Sequence, residues 1–356
     1  MNNDRIQEIL DLMEEARLDY FLISDPQSIA YCTGYYNDPH ERMFVFMISK
    51  HGNHTLFMND LFYLDHDLDV NIVWHKDGQD AIQTIVDEMH FPGRIGIDKN
   101  WASHFLLDLM KKLPDAKYIN ASPCVDLVRM KKDLQEQVLM IESSKINDAV
   151  MEEIIPFIQE GVTEKQLAKK LDELFFKHHS TCYGAIVAFG KNAADPHHEN
   201  DDTLLRKGDC VLIDMGCVYK GYCSDMTRTF YFKEVSDEHR HIYETVRKAN
   251  EAAIAKIKPG IPLCELDNTA RQLITDEGYG PQFNHRLGHF IGLSEHEFGD
   301  VSSVNTDKAV PGMIFSIEPG IYLTDDTGVR VEDLVLVTED GCEVLNHYPK
   351  ELQIIG

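Results

Sequence analysis

The chain has 356 residues, of which 43% are hydrophobic and 26% charged, and a formal net charge of −26. That length exceeds one ordinary core and implies two domains, and the composition is that of a globular protein. The negative balance repels a phosphate backbone and argues against a nucleic acid partner. No apolar run approaches the roughly 20 residues that span a bilayer, and MNNDRIQEILDLMEEARLDY lacks the apolar core of a signal peptide. A cytoplasmic protein without a membrane partner is therefore expected. The eight cysteines form no CxxC pair and sit mostly in apolar runs, which reads as reduced, buried thiols.

In chain order, Ile6, Ile9, Leu10, Leu12 and Met13 make a helical stripe over residues 4–17, and Tyr20-Phe21-Leu22-Ile23 reads as a buried strand. Asp25-Pro26 opens a short helix. Strands over 42–49 and 54–58 flank a Lys50-His51-Gly52-Asn53 turn, and a further strand over 71–74 precedes a helix over 80–89. The unit repeats as strand 94–97, helix 102–113 and strand 117–120. This alternation predicts a mixed sheet covered by helices, an α/β domain over residues 1–125. No GxGxxG or GxxxxGK[ST] occurs, so a nucleotide site has no support.

From Val125 the alternation stops and helix-rich sequence follows, including Thr163-Glu164-Lys165-Gln166 with capping-box spacing. A strand over 183–189 leads into a loop ending Pro196-His197-His198, which by itself reads as surface. Residues 210–230 then form a hairpin. With its turn at Tyr219-Lys220, Asp214 lies opposite Asp225, and a bulge at Gly221 would shift the pair by one residue. Helices over 236–258 and 263–277 precede a segment holding His285, His289 and His296 with Gly288 and Gly292. Strands over 313–318 and 328–337, closing around Asp325, place Glu318 opposite Glu332.

Facing like charges destabilise a strand pair, and burying them without a cation costs several kcal/mol per ion. Two such pairs among Val, Ile and Leu, with an imidazole between, therefore imply bound metal. Oxygen donors without thiolate suit Mn2+ or a similar divalent ion better than structural zinc. Four carboxylates exceed what one ion needs for neutrality, which points to two ions sharing a nucleophilic water.

The motifs LIDMGCVYKGYCSDMTRTF, HRLGHFIGLSEHE, PGMIFSIEPGIY and GVRVEDLVLVT resemble those of the prolidase, aminopeptidase P and methionine aminopeptidase family. The resemblance spans both domains and implies a creatinase/prolidase-like N-terminal α/β domain followed, over 126–356, by an α+β pita-bread catalytic domain. It implies two divalent ions, Mn2+ with Co2+ or Zn2+ as alternatives, held by Asp214, Asp225, His289, Glu318 and Glu332. Glu318 would double as acid/base, His296 would stabilise the tetrahedral intermediate, and His197 would stand on the substrate loop. Thr227 and Arg330 match supporting positions, and His285 lines the pocket. The implied activity is hydrolysis of the Xaa-Pro bond by a metal-bridging hydroxide in a homodimer. Alternatives are an aminopeptidase P acting on longer peptides, or metal-dependent non-peptidase chemistry on the same fold. Two residues depart from the family pattern: Phe290, where glycine is common, is expected to crowd or reshape the pocket, and Asp300, where many prolidases carry arginine, to repel a substrate carboxylate.

Overall fold

The strand expected from Tyr20-Phe21-Leu22-Ile23 is buried along its whole length, and the N-terminal sheet of the computed structural model, which describes residues 1–356, is built around it. Helix α1 (Asn3–Glu15) starts where the Asn2 side chain accepts from the Arg5 amide, and buries Ile6, Ile9 and Met13. Strand β1 (Tyr20–Ile23) is followed by α2 (Pro26–Thr33), β2 (Val45–Ser49), β3 (Thr55–Asn59), β4 (Asn71–His75) and α3 (Ala81–Glu88). Then come β5 (Arg94–Ile97), α4 (Ser103–Lys112), β6 (Lys117–Asn120) and α5 (Ser122–Met130). The sheet order is β4-β3-β2-β1-β5-β6, with β1 antiparallel to β2 and parallel to β5, the mixed sheet that the alternation implies. Its inner strands are buried on both faces while β4 and β6 are partly exposed at the edges.

The chain divides into two units at Arg129/Met130, in the last turn of α5. The second unit opens with α6 (Leu134–Ile154) and α7 (Glu164–Lys177), both started by capping boxes, Asp133 with Glu136 and Thr163 with Gln166. Strands β7 (Thr181–Phe189), β8 (Cys210–Tyr219), β9 (Tyr222–Cys223) and β10 (Met226–Phe232) follow, then α8 (Asp237–Ile254) and α9 (Leu263–Asp276). The remaining strands are β11 (Gly288–His289), β12 (Asp300–Val301), β13 (Ile314–Ile317), β14 (Gly320–Leu323), β15 (Thr327–Arg330), β16 (Asp333–Val337), β17 (Cys342–Val344) and β18 (Ile354–Ile355). One sheet runs β18-β10-β8-β7 with β9 on β8, and a smaller one runs β13-β16-β17. Its core packs Val246, Ala249 and Ala253 of α8 and Leu266 and Ala270 of α9 with Phe315, Val335 and Val331. No helix is long and apolar enough to cross a membrane, and all eight cysteines are free.

The β8–β10 hairpin closes one residue later than the sequence suggests. Tyr219 pairs with Tyr222, so Lys220 and Gly221 form the turn, at φ 49° and 88°. Positive φ at both central residues is the turn whose twist matches paired strands. Moving the turn by one residue moves every partner by two. Asp214 therefore faces Thr227, not Asp225. The pairs Val218 with Cys223 and Met215 with Met226 bracket a gap that puts Asp225 across from Gly216. Because side chains alternate, Asp214 and Asp225 still share one face as diagonal neighbours. In the second hairpin, Ile317 pairs with Asp333 and Gly320 with Arg330. That register sets Glu318 across from Glu332, as expected from a turn centred on Asp325.

Candidate metal centre

The two strand systems meet at their carboxylates. Asp225, His289 and Glu332, all buried, offer ligand atoms that lie within 4.8 Å of one another. His289 Nε2 stands 3.6 Å from Asp225 Oδ2 and 3.7 Å from Glu318 Oε1. These separations are too long for hydrogen bonds, so the imidazole nitrogen faces the acids without being satisfied by them. His289 Nδ1 lies 3.2 Å from the Phe290 carbonyl oxygen, which favours a proton on Nδ1 and a lone pair on Nε2.

Each acid is oriented by a neighbour. Arg330 Nη2 donates to Asp214 Oδ2 at 2.7 Å, Thr227 Oγ1 to Glu332 Oε2 at 2.7 Å, and Ser316 Oγ to Glu318 Oε1 at 3.2 Å. Arg330 also donates to Thr227 Oγ1 at 3.1 Å and Tyr322 Oη at 3.0 Å, and Tyr322 Oη lies 2.9 Å from His285 Nε2. A buried polar chain thus links Asp214, Arg330, Thr227 and Glu332 to His285.

Burial dominates the electrostatics. It pushes the Asp225 carboxyl well above the usual range, helped by Glu332 and Asp214, and does the same to Glu332, helped by Glu318 and Asp214. Glu318 is pushed up to about 7 by burial, with Arg330 opposing. His289 is pushed down to about 3 by burial and by His296, and His285 to about 4 by burial and by Arg330. Without a cation, burial favours the protonated carboxyls of Asp225 and Glu332 and the neutral imidazoles of His289 and His285. A divalent ion displaces the protons and accepts a neutral imidazole, so this oxygen-rich set with one nitrogen fits such an ion, and Asp214, Asp225, His289, Glu318 and Glu332 are the residues that would hold it.

The His296 ring is tilted against that of His289 with centroids 4.0 Å apart, and partial desolvation lowers its pKa, with Arg286 and His197 adding to the effect. His197 is exposed, and its charge also bears on His285. Its loop is held by Glu164, fully buried at the start of α7. Glu164 accepts from the amides of Phe189 and Asp201, from Asn192 Nδ2, and pairs with His198 Nε2 at 2.7 Å. Glu164, His198 and Asp201 also approach as a potential cation group, but the donors to Glu164 occupy its carboxylate as a loop clamp. In the sequence Glu164 falls inside the Thr163–Gln166 capping-box spacing and carries no other signal, and Tyr322 carries none beyond its motif.

Two expectations need correction. Phe290 does not crowd the pocket. It is fully buried, it bridges to Phe315 with rings 5.4 Å apart, and it points away from His289 because neighbours on extended chain alternate. Asp214 and Asp225 are diagonal and not directly opposed, for the turn reason given above. Asp300 pairs with His289 across β11–β12 and accepts from Ser302 Oγ at 2.8 Å.

An α/β domain followed by a pita-bread domain whose strands converge on buried carboxylates and a neutral imidazole defines a metallopeptidase. Residues 138–339 match the model of metallopeptidase family M24, and residues 5–131 match the creatinase/prolidase N-terminal domain. The chain belongs to the M24 family. It is 36% identical over 355 residues to an uncharacterized peptidase of Staphylococcus aureus (strain MW2), covering 97% of this chain and 99% of the relative. A dipeptidase structure from Pyrococcus horikoshii OT3 superposes with TM-score 0.92 at 34% identity, covering 99% of this chain and 100% of that one. An Xaa-Pro dipeptidase from Bacillus anthracis gives TM-score 0.92 at 31% identity over 99% of both chains.

Proposed function

We propose that the protein is a metal-dependent Xaa-Pro dipeptidase, with Asp214, Asp225, His289, Glu318 and Glu332 holding two divalent ions. The observation that carries this reading is the convergence of Asp225 and Glu332, with Glu318 beside them, on the neutral imidazole of His289, which the Xaa-Pro dipeptidase likeness supports. Bound ions would polarise the scissile carbonyl and lower the pKa of the attacking water. Glu318, beside His289, would take the proton from that water and return it to the departing proline nitrogen. His296, beside His289, donates to the oxyanion of the tetrahedral intermediate. A proline imide has no N–H, so His197 and His285 orient the substrate through its other polar groups. Mn2+ as the native ion, a homodimer and a cytoplasmic location belong to the same reading, on the strength of the donor chemistry and the family resemblance.

Asp300 favours a second reading. It stands across from His289 and offers negative charge where a dipeptide's carboxylate would need positive charge. Release of the first residue from longer Xaa-Pro peptides would avoid that repulsion.

The test is metal analysis with hydrolysis of Xaa-Pro and Xaa-Pro-Yaa-Zaa peptides by wild type and Glu318→Gln. Metal-dependent proline release that Glu318→Gln abolishes while the melting profile is kept supports the assignment. Near-wild-type hydrolysis by the metal-loaded variant overturns the role of Glu318, and faster cleavage of the tetrapeptide selects the second reading.

A further inference from the structure

Beside the carboxylates lies a cavity of about 600 Å³ between α7, β7, the 198–200 loop and Glu295. Ile186 on its floor is the cross-strand partner of Asp214. Tyr183 forms its wall, with Oη donating to the carbonyl of Ser224, the residue before Asp225, at 2.5 Å. Glu295 lines the cavity next to His296, whose Nε2 is 3.8 Å from Glu295 Oε1. The space thus adjoins the strands and the histidine segment that carry the metal centre.

The lining has an apolar part and a charged part. Tyr183, Ile186 and Ala185 offer hydrocarbon surface for an extended stem. Among the charged groups, Lys165 is taken up by Asp202, its Nζ donating at 3.1 Å. That leaves Lys169, exposed on α7, against Asp172, Glu199 and Glu295. Glu295 is the member nearest the metal centre. Its side chain is 49% exposed, at the mouth of the hollow, and the basic group of this chain against it is His296, whose Nε2 lies 3.8 Å away. A long side chain with a cationic head satisfies both parts, its stem along the hydrocarbon and its head at Glu295.

We propose that this cavity takes the side chain of the residue before proline, and that Glu295 selects a basic one, arginine or lysine. The inference rests on the Xaa-Pro reading above and adds the substrate class to it.

The experiment measures kcat and KM of the metal-loaded protein and of Glu295→Gln and Glu295→Arg on Arg-Pro, Lys-Pro, Leu-Pro and Glu-Pro. Wild type is expected to favour Arg-Pro over Leu-Pro by about tenfold in kcat/KM, the scale of one charge-assisted contact. Glu295→Gln should remove most of that ratio, chiefly through KM, and Glu295→Arg should turn it toward Glu-Pro. Metal content and melting temperature of each variant check that the centre is intact. A wild-type ranking without basic preference, or an equal loss on all four dipeptides in Glu295→Gln, overturns this inference alone. The equal loss would mean that Glu295 holds the α-ammonium group common to them. No cleavage of any Xaa-Pro peptide by metal-loaded wild type overturns the proposed function and this inference with it.

Discussion

Arg330 Nη2 donates to Asp214 Oδ2 at 2.7 Å, and the same guanidinium reaches Thr227 and Tyr322. Its side chain is only 3% exposed against 21% for Asp214. A cation of the chain itself is thus built into the rim of a site made of acids. It cannot neutralise them all, and Asp225, Glu318 and Glu332 remain raised. The arginine instead fixes where Asp214 points and, through Thr227, where Glu332 points.

Arg330→Met should therefore act on geometry more than on fold. Removing a partner that orients a metal ligand costs about 10–100-fold in affinity or activity. A drop of that size in Mn2+ affinity by titration calorimetry, with a parallel drop in kcat, is expected. Wild-type metal affinity in the variant would show that the chain from Asp214 to His285 is a packing feature only.

Metal removal should convert the acids into a pH-dependent liability. Glu318 is raised from 4.5 to about 7 in the metal-free chain, and Asp225 and Glu332 are raised well above the usual carboxylate range. Raised carboxyls contribute stability that is full below their unfolded values and lost as pH rises through the folded ones. For Glu318 alone that is on the order of 3 kcal/mol between about pH 4.5 and 7. The melting temperature in EDTA should thus fall over that window, while the Mn2+-loaded protein stays flatter and the gap widens with pH. Parallel curves with and without metal would contradict this.

The site could be read from the sequence where local rules act and not where distant hydrogen bonds act. Acids in apolar strands, and strand parity, located Asp214, Asp225, Glu318 and Glu332. The offset between Asp214 and Asp225 depended on which two residues turn the hairpin, and Lys220-Gly221 does so because both adopt positive φ. Phe290 was misread because a position in a motif says nothing about which side of the chain it faces. Glu164 and Tyr322 act through partners 25 to 37 residues away, Phe189, His198 and Asp201 for the first and His285 for the second. No local pattern encodes such partnerships. The N-terminal sheet, built from short apolar runs between turn residues, was legible almost throughout.

Gly216 is a place where one methyl group should disable the centre. A Cβ there would lie 1.7 Å from Tyr183 Oη and 2.2 Å from the Ser224 carbonyl oxygen. The tyrosine can swing, but the carbonyl moves only with the backbone that carries Asp225. Gly216→Ala should cost about 1–3 kcal/mol as overpacking does, and lose metal occupancy even where it remains folded. Retained metal at wild-type stoichiometry would show that the backbone at Ser224 yields without displacing Asp225.

The last prediction concerns the clasp behind the site. Arg228, 1% exposed, donates to the carbonyl oxygens of Glu332 at 2.6 Å and Thr227 at 2.9 Å, and to Asp333 Oδ1 at 2.8 Å. Lys350 Nζ donates to the other oxygen of Asp333 at 2.9 Å. One guanidinium therefore ties β10 to the chain leading into β16, the two segments that carry Thr227 and Glu332. Burial alone would push the Asp333 carboxyl up, but Arg228 and Lys350 outweigh it and hold it below the usual range. Asp333→Asn leaves both cations without their counter-charge, and breaking a buried pair in this way costs about 3–5 kcal/mol. Because the carboxyl is depressed, its contribution is present above its unfolded value and lost as pH falls through the folded one. Chemical denaturation should thus show Asp333→Asn several kcal/mol less stable at pH 7, with the gap to wild type closing below about pH 4. A gap that stays constant into acid would mean that the loss comes from packing and not from the charge of Asp333.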